Sequence, residues 1–139
     1  MREPISLLEV ILYVNNQSDS ADFYRSLLDR EPVLDVPGMT EFSVTDNCRL
    51  GLMPSAGIAK ILGRATPHPD TGAGVPRCEL YFAVEDPAAE FDRAVCLGAH
   101  PVSPAAPRGW GDVVSYVADL DGHVLGFARK MSQDEEVTS

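Results

Sequence analysis

The chain is poor in cysteine, histidine and positive charge, and each shortage excludes a class of protein. Its 139 residues include three cysteines, three histidines and 11 basic residues against 21 acidic ones, for a net charge of -10. A protein that binds a nucleic-acid duplex needs a basic face, so this balance argues against nucleic acid and against anionic lipid. The cysteine count is odd and no Cys-x-x-Cys occurs, which fits a reducing compartment without a disulfide framework.

Long hydrophobic runs are absent too. No apolar stretch approaches the ~20 residues needed to cross a bilayer, and the first residues do not read as a signal peptide. We therefore expect a soluble, cytoplasmic protein. Apolar residues make up 45% of the chain, enough for the core of one domain. Cys48, Cys78 and Cys96 are expected to be small core residues, and His123 is expected at the surface.

The apolar periodicity predicts the same order of elements twice. The first half is predicted to form a strand over 7–14, a helix to about residue 29, and strands over 33–36, 40–44 and 49–53. Ser18 or Ser20 is expected to cap the helix and Pro32 to end it. The second half is predicted to form a strand over 78–84, a helix from Asp86-Pro87 to Gly98, and strands over 99–102, 113–118 and 124–128.

Three further segments are predicted with less regular structure. Residues 54–77 join the halves as a linker or a lid, with one or two helical turns over 57–62 and no regular structure over 67–76. A proline-rich loop is expected over 103–107. The acidic end, 131–139, is expected to be frayed.

In the second helix, the residues expected to face inward are Ala88, Phe91, Ala94 and Val95.

An internal repeat relates the two halves residue by residue. Residues 9–14 match 79–84, residues 23–25 match 91–93, and residues 50–52 match 125–127. The pattern predicts an α+β fold of two βαβββ modules, about 7–53 and 78–129, within one domain. Strand alternation places Glu9, Ile11 and Tyr13, and equally Glu79 and Tyr81, on the sheet face away from the helix. We expect these faces to line a shared concave space.

A hairpin near the end carries the most specific motif of the chain. It reads Arg108-Gly-Trp110-Gly, then a β-branched strand, then Asp119-Leu-Asp-Gly122 and a returning strand. Aspartate suits the first position of a turn, and glycine suits a last position that needs positive φ. The sequence therefore predicts a tight hairpin with a glycine-flanked tryptophan at its mouth.

The order of elements, the Ser20-x-x-Phe23-Tyr24 helix and the Trp110-Gly…Asp119-x-Asp-Gly122 hairpin resemble the vicinal oxygen chelate superfamily. That superfamily includes glyoxalase I, extradiol dioxygenases, fosfomycin-resistance enzymes and bleomycin-resistance proteins. The resemblance covers roughly residues 7–129 and implies a concave, partly closed sheet. One departure is Leu120, where the family's turn has proline.

The resemblance also implies where a metal would bind. The superfamily's metal ligands map by position to Glu9, Gly51, Glu79 and Gly126, and the two glycines have no side chain to offer. A catalytic divalent ion normally has three protein ligands. We therefore expect no cofactor, and the alternative is a divalent metal ion held by Glu9 and Glu79.

The candidate ligand-binding residues are Glu9, Tyr13, Glu79, Tyr81, Arg108 and Trp110. Two converging glutamates would share a proton and act as a general base or attract an amine, whereas the plainer alternative makes them strand-end residues without a role. Trp110 is either a core plug or a surface on which a flat ligand stacks, with Tyr13 and Tyr81 beside it. Arg108 would pair with a ligand carboxylate or phosphate.

Three functions remain open from the sequence. The first is a binding protein of the bleomycin-resistance type that takes a small aromatic or cationic molecule. The second is a metal-dependent lyase or isomerase similar to glyoxalase I. The third is a structural domain that has lost its site. The resemblance further implies a homodimer.

Overall fold

The computed structural model describes residues 2–136, in which the order β-α-β-β-β occurs twice. The chain divides into two compact units, one ending at Gly72 and the other beginning at Ala73. This is an α+β fold of two βαβββ-type modules, and the predicted fold class is confirmed. Among the described residues, no helix is long and apolar enough to span a membrane.

The first unit is a four-stranded mixed sheet covered by one helix. Its strands lie in the order β1 (Leu8–Val14), β4 (Cys48–Pro54), β3 (Met39–Thr45) and β2 (Leu34–Val36). β1 is parallel to β4, and the other neighbours are antiparallel. Helix α1 (Gln17–Leu28) covers the face to which alternate apolar residues point. The core of this unit contains Leu12, Val14, Phe23, Tyr24, Phe42, Leu50 and Leu52.

The second unit repeats this arrangement. Its strands lie in the order β5 (Glu79–Ala83), β8 (Val124–Lys130), β7 (Asp112–Ala118) and β6 (His100–Pro107). Helix α3 (Pro87–Cys96) packs on one face, and the Ser115 hydroxyl donates a hydrogen bond to the Pro87 carbonyl at 2.8 Å. The core contains Ala94, Val113, Val117, Leu125 and Phe127.

Strand register confirms the internal repeat. Ile11 pairs with Gly51 in the first unit as its repeat equivalent Tyr81 pairs with Gly126 in the second. The third strand of each sheet continues the match, because Glu41 pairs with Gly51 and Tyr116 pairs with Gly126. The two units therefore share one backbone plan and carry different side chains at its centre.

Helix α1 ends where it was predicted to, near residue 29, but the residues at its two ends differ from the predicted ones. Its cap is Asn16, whose side-chain oxygen accepts the Asp19 backbone N–H at 2.9 Å, and not Ser18 or Ser20. Asparagine caps at least as well as serine, so the earlier residue starts the helix. The helix ends at a left-handed Asp29 (φ 51°), three residues before Pro32. The predicted cap of α3 by Asp86 is confirmed, since its side chain accepts the Ala89 N–H at 3.1 Å.

Several other predictions about local structure are wrong. Residues 103–107 continue strand β6 instead of forming a loop, since an edge strand with two register shifts tolerates proline. A 3-10 turn, Pro69–Gly72, lies in the stretch predicted to be irregular, whereas the predicted helical turns are present in α2 (Ser55–Leu62). Ala88 is exposed, because the buried side of α3 centres on Ala94.

The predictions for single side chains near the surface also need correction. Cys78 and Cys96 are exposed and Cys48 is half-buried, since they lie at strand and helix ends, so none is a core residue. The frayed end predicted for 131–139 lies partly outside the described residues. Within them, Arg129 donates to Glu135 at 2.7 and 2.8 Å, which holds the pKa of that carboxyl at about 2.

Candidate functional site

Four of the predicted site residues lie on the sheet faces opposite the helices, namely Glu9, Tyr13, Glu79 and Tyr81. In β1, Leu12 and Val14 are buried toward α1, whereas Tyr13 on the other side is 38% exposed. In β5, Glu79 and Tyr81 alternate with Leu80 and Phe82, so they lie on the face opposite α3. The alternation predicted from the sequence is confirmed in both units.

Gly51 makes room for the Glu9 carboxyl group in the first unit. A Cβ atom at position 51 would lie only 2.5 Å from Glu9 Oε2, a distance that real structures essentially never show. The Glu9 side chain therefore occupies the space above β4 that a side chain at position 51 would fill. Its Oε2 is fully buried, and no described residue donates a hydrogen bond to it.

The acidic partner of Glu9 is Glu41. The pKa of Glu9 is raised to about 7, first by burial and then by the side chain and the charge of Glu41, while Arg49 opposes the rise. Arg49 Nη1 lies 3.8 Å from Glu41 Oε1. A neighbouring carboxylate disfavours the charged form of a carboxyl group, so Glu9 keeps its proton to a higher pH than an ordinary glutamate does. The predicted pairing of Glu9 with Glu79 stays a prediction, and Glu41 is a residue that the sequence reasoning missed.

Gly126 occupies the equivalent position in the second unit, where its surroundings are aromatic. A Cβ atom there would lie 3.1 Å from Tyr81 Cδ1, 3.2 Å from Glu79 Oε2 and 3.3 Å from Tyr116 Cε1. Two tyrosine rings and one carboxyl group thus close over the glycine. Glu79 is exposed, and no described residue donates a hydrogen bond to it or forms an ion pair with it.

Trp110 and Tyr81 form an exposed aromatic pair. The Trp110 Nε1–H donates to the Tyr81 hydroxyl oxygen at 2.9 Å, and that hydroxyl donates to Asp112 Oδ2 at 2.6 Å. Burial is the largest cause that raises the pKa of Tyr81, and the hydrogen bond with Asp112 is the next. The hydrogen bond from Trp110 lowers this pKa, but its effect is smaller than either. Trp110 is 60% exposed and Tyr81 43% exposed, so the reading of Trp110 as a core plug is wrong.

Arg108 directs its guanidinium group toward the protein. It donates to the Val114 carbonyl at 2.9 Å, to Ser103 Oγ at 3.0 Å and to the Pro104 carbonyl at 3.1 Å. Its Cζ also lies 5.3 Å from the centre of the Tyr116 ring, within reach of a cation–π contact. Burial and the Glu79 charge raise the pKa of Tyr116, and Arg108 opposes them.

The residues at the matched metal positions fit a divalent ion poorly within either unit. The first unit brings Glu9 and Glu41 together, but Arg49 beside them already supplies positive charge. In the second unit, Glu79 is the one carboxyl group at these positions, and two tyrosine rings flank it. Neither unit supplies the three ligands of an ordinary catalytic site at these positions.

The hairpin turn holds a different acidic group. Asp119, Asp121 and His123 place one ligand atom each within 4.8 Å of one another, the one such group of three among residues 2–136. Asp119 is committed to the turn, since it accepts the backbone N–H groups of Asp121 and His123 at 2.9 Å. His123 Nδ1 lies 2.9 Å from Asp119 Oδ2, and the His123 side chain, expected at the surface, is 28% exposed and thus partly buried. Burial lowers the pKa of His123, but Asp119 and Asp121 outweigh it and raise the pKa overall.

A cavity of about 320 Å³ lies elsewhere in the first unit, and no predicted site residue lines it. Its one basic residue, Arg25, lies within 4 Å of Asp22, Glu31 and Asp35 and is neutralised by them. The lining residues are Gln17, Ser18, Ala21, Asp22, Arg25, Asp35, Val36 and Pro37.

Known proteins resemble the chain over nearly its whole length. The sequence profile of the Glyoxalase/Bleomycin resistance protein/Dioxygenase superfamily matches residues 6–127. An uncharacterized protein of Mycobacterium bovis is 28% identical over 130 residues, covering 89% of this chain and 85% of the relative. A glyoxalase-related enzyme from Fulvimarina pelagi superposes with a TM-score of 0.76 at 23% identity, covering 96% of both chains. A glyoxalase/bleomycin resistance protein/dioxygenase from Nocardioides gives 0.74 at 16% identity, over 100% of this chain and 91% of the other.

Proposed function

We propose that this chain, which belongs to the glyoxalase/bleomycin resistance protein/dioxygenase superfamily, binds a small, flat, positively charged aromatic molecule. In this proposal the protein has no complete catalytic metal site. The exposed aromatic pair Trp110–Tyr81 with the unpaired Glu79 carboxylate beside it carries this proposal. Exposed aromatic rings are normally costly to leave in water, and tryptophan and tyrosine are the residues that stack on flat ligands.

Charge favours a cation over an anion at this face. Glu79 has no basic partner among the described residues, and Arg108 directs its Nε and Nη2 donors to Ser103 and to the carbonyls of Pro104 and Val114. The faces of aromatic rings carry negative potential and attract cations. In the first unit, Glu9 and Glu41 form a second, partly buried acidic group, which becomes more negative as Glu9 loses its proton near pH 7.

The test is isothermal titration of the purified protein with planar aromatic cations at neutral pH. We expect Trp110→Ala to weaken binding at least about ten-fold and Glu79→Gln to weaken it several-fold, because they remove the stacking face and the carboxylate. Asp92→Asn is the matched control for Glu79→Gln, since it removes one exposed carboxylate from α3 on the other side of the same sheet. Equal affinities for all variants would reject the proposal.

A divalent-metal-dependent lyase or isomerase, with Glu9 and Glu79 as ligands, is the second candidate. The observation that favours it is the buried Glu9 Oε2, which lacks a donor among the described residues. Elemental analysis of the native protein and titration with nickel, zinc and manganese decide between the two functions. One equivalent of metal, lost in Glu9→Gln and in Glu79→Gln, would favour the enzyme. Absence of stoichiometric binding would reject it.

A further inference from the structure

Asp112 is a buried carboxylate on the same face as the aromatic pair. It is the first residue of β7 and is only 8% exposed. Its Oδ2 accepts the Tyr81 hydroxyl, whereas its Oδ1 lies 3.4 Å from Lys130 Nζ and has no hydrogen bond among the described residues. Neither the repeat nor the hairpin motif assigns this residue a role.

The direction of the hydrogen bonds is set by chemistry. An indole N–H can only donate, and an ionised carboxylate can only accept. The hydrogen bond from Tyr81 lowers the pKa of Asp112, so the carboxylate is ionised at neutral pH. The Tyr81 oxygen must therefore accept from Trp110 and give its own proton to Asp112. Both polar hydrogens of the aromatic pair are used within the protein.

We propose that Asp112 is a positioning residue that holds Trp110 through Tyr81, so that the aromatic pair offers ligands its ring faces and no hydrogen-bond donor. The proposal about ligand choice rests on the proposed binding function. An aromatic pair that offers ring faces beside a free carboxylate, and no donor of its own, favours a planar cation over a neutral ligand of the same shape that needs a donor.

The positioning is measured without any ligand. Trp110 is the only tryptophan, so time-resolved fluorescence anisotropy reports its motion alone. We expect Tyr81→Phe and Asp112→Ala each to raise the amplitude of the sub-nanosecond decay at least about two-fold. Adding Asp112→Ala to Tyr81→Phe should raise it no further, because Asp112 acts through the tyrosine hydroxyl.

Two more variants keep this measurement decisive. Tyr116→Phe is the matched control, since it removes a hydroxyl from the same sheet face without touching the bond to Trp110. If Asp112→Ala does not fold, Asp112→Asn keeps the side-chain shape and should give a smaller rise. Wild-type anisotropy in Tyr81→Phe, or in both Asp112 variants, overturns the positioning role.

Ligand choice is tested with N-methylquinolinium and neutral quinoline at pH 7.5. We expect the wild type to bind the cation about ten-fold tighter. We expect Tyr81→Phe to bind quinoline better than the wild type does, because the released indole N–H can donate to the ring nitrogen. An unchanged affinity ratio overturns the inference about ligand choice. If the wild type binds neither compound, the proposed function fails, and the anisotropy alone decides the role of Asp112.

Discussion

At the scale of single residues, two glycines decide what the centre of each sheet can do. The Glu9 carboxyl occupies the space that a side chain at Gly51 would fill. Two tyrosine rings and Glu79 occupy the corresponding space at Gly126. The resemblance presents both glycines as positions that cannot bind metal. The structure shows in addition that the freed space is filled by neighbouring side chains, so a larger residue at either position would displace them.

The raised pKa of Glu9 predicts a pH-dependent stability. Between the ordinary 4.5 and about 7, the folded protein keeps a proton that the unfolded chain has released. Rising pH through this window therefore lowers the free energy of unfolding, and the loss is complete above about 7. We expect the wild type to lose about 1 to 2 kcal/mol more than Glu9→Gln between pH 5 and 8, in urea unfolding.

The control for this experiment is Asp46→Asn, which removes an exposed carboxylate from the same unit. Its unfolding free energy should follow the wild-type dependence on pH. Parallel curves for the wild type and Glu9→Gln would contradict the prediction, because they would show that Glu9 titrates at its ordinary pKa in the folded protein.

Gly51→Ala tests the space that holds Glu9. The new Cβ would overlap Glu9 Oε2, and the end of a flexible side chain is what can move. We expect the Glu9 carboxyl to shift away from Glu41, so that its pKa falls from about 7 toward 4.5. Carbon-13 NMR of the carboxyl group measures this pKa. Gly57→Ala in α2, where nothing lies within 4 Å, should leave it at about 7.

At the scale of elements, helix starts and sheet edges show how local chemistry chooses among alternatives. Asn16 caps α1 and Asp86 caps α3, in each case by accepting the N–H three residues later. Strand β6 contains three prolines and remains a strand, since it is an edge of its sheet and needs fewer backbone donors.

The caps predict unequal effects of alanine along α1. Asn16→Ala removes the acceptor for the Asp19 N–H and should cost about 1 kcal/mol of stability, as should Asp86→Ala in α3. Ser18→Ala, at a position inside the helix, should cost almost nothing. Denaturant unfolding of the three variants measures this order. A larger loss of stability for Ser18→Ala than for Asn16→Ala would show that the serine, and not Asn16, caps the helix.

At the scale of the whole molecule, the two units repeat one backbone with different chemistry. Repeat-equivalent positions hold Glu41 in one sheet and Tyr116 in the other, each in register with a glycine. One centre therefore holds the carboxyl groups of Glu9 and Glu41, and the other holds the rings of Tyr81 and Tyr116 beside the Glu79 carboxylate.

A homodimer is the prediction for the assembled protein, and it rests on the family resemblance and on the edge strands of both sheets. Strand β2 is exposed along its whole length, and unpaired strand edges favour association. Sedimentation velocity at micromolar concentration should give a mass roughly twice the 15.0 kDa of one chain. A species with the mass of one chain would contradict it.

The sequence by itself determined the order of elements, the register of the repeat and the face on which Glu9, Tyr81 and Glu79 lie. These follow from local periodicity and from glycines and aspartates at turns, and the structure confirms them. The Glu9–Glu41 pair and the Trp110–Tyr81–Asp112 chain were decided only by tertiary structure. Their members lie 32, 29 and 31 residues apart in the sequence, and strand pairing and the space above a glycine bring them together.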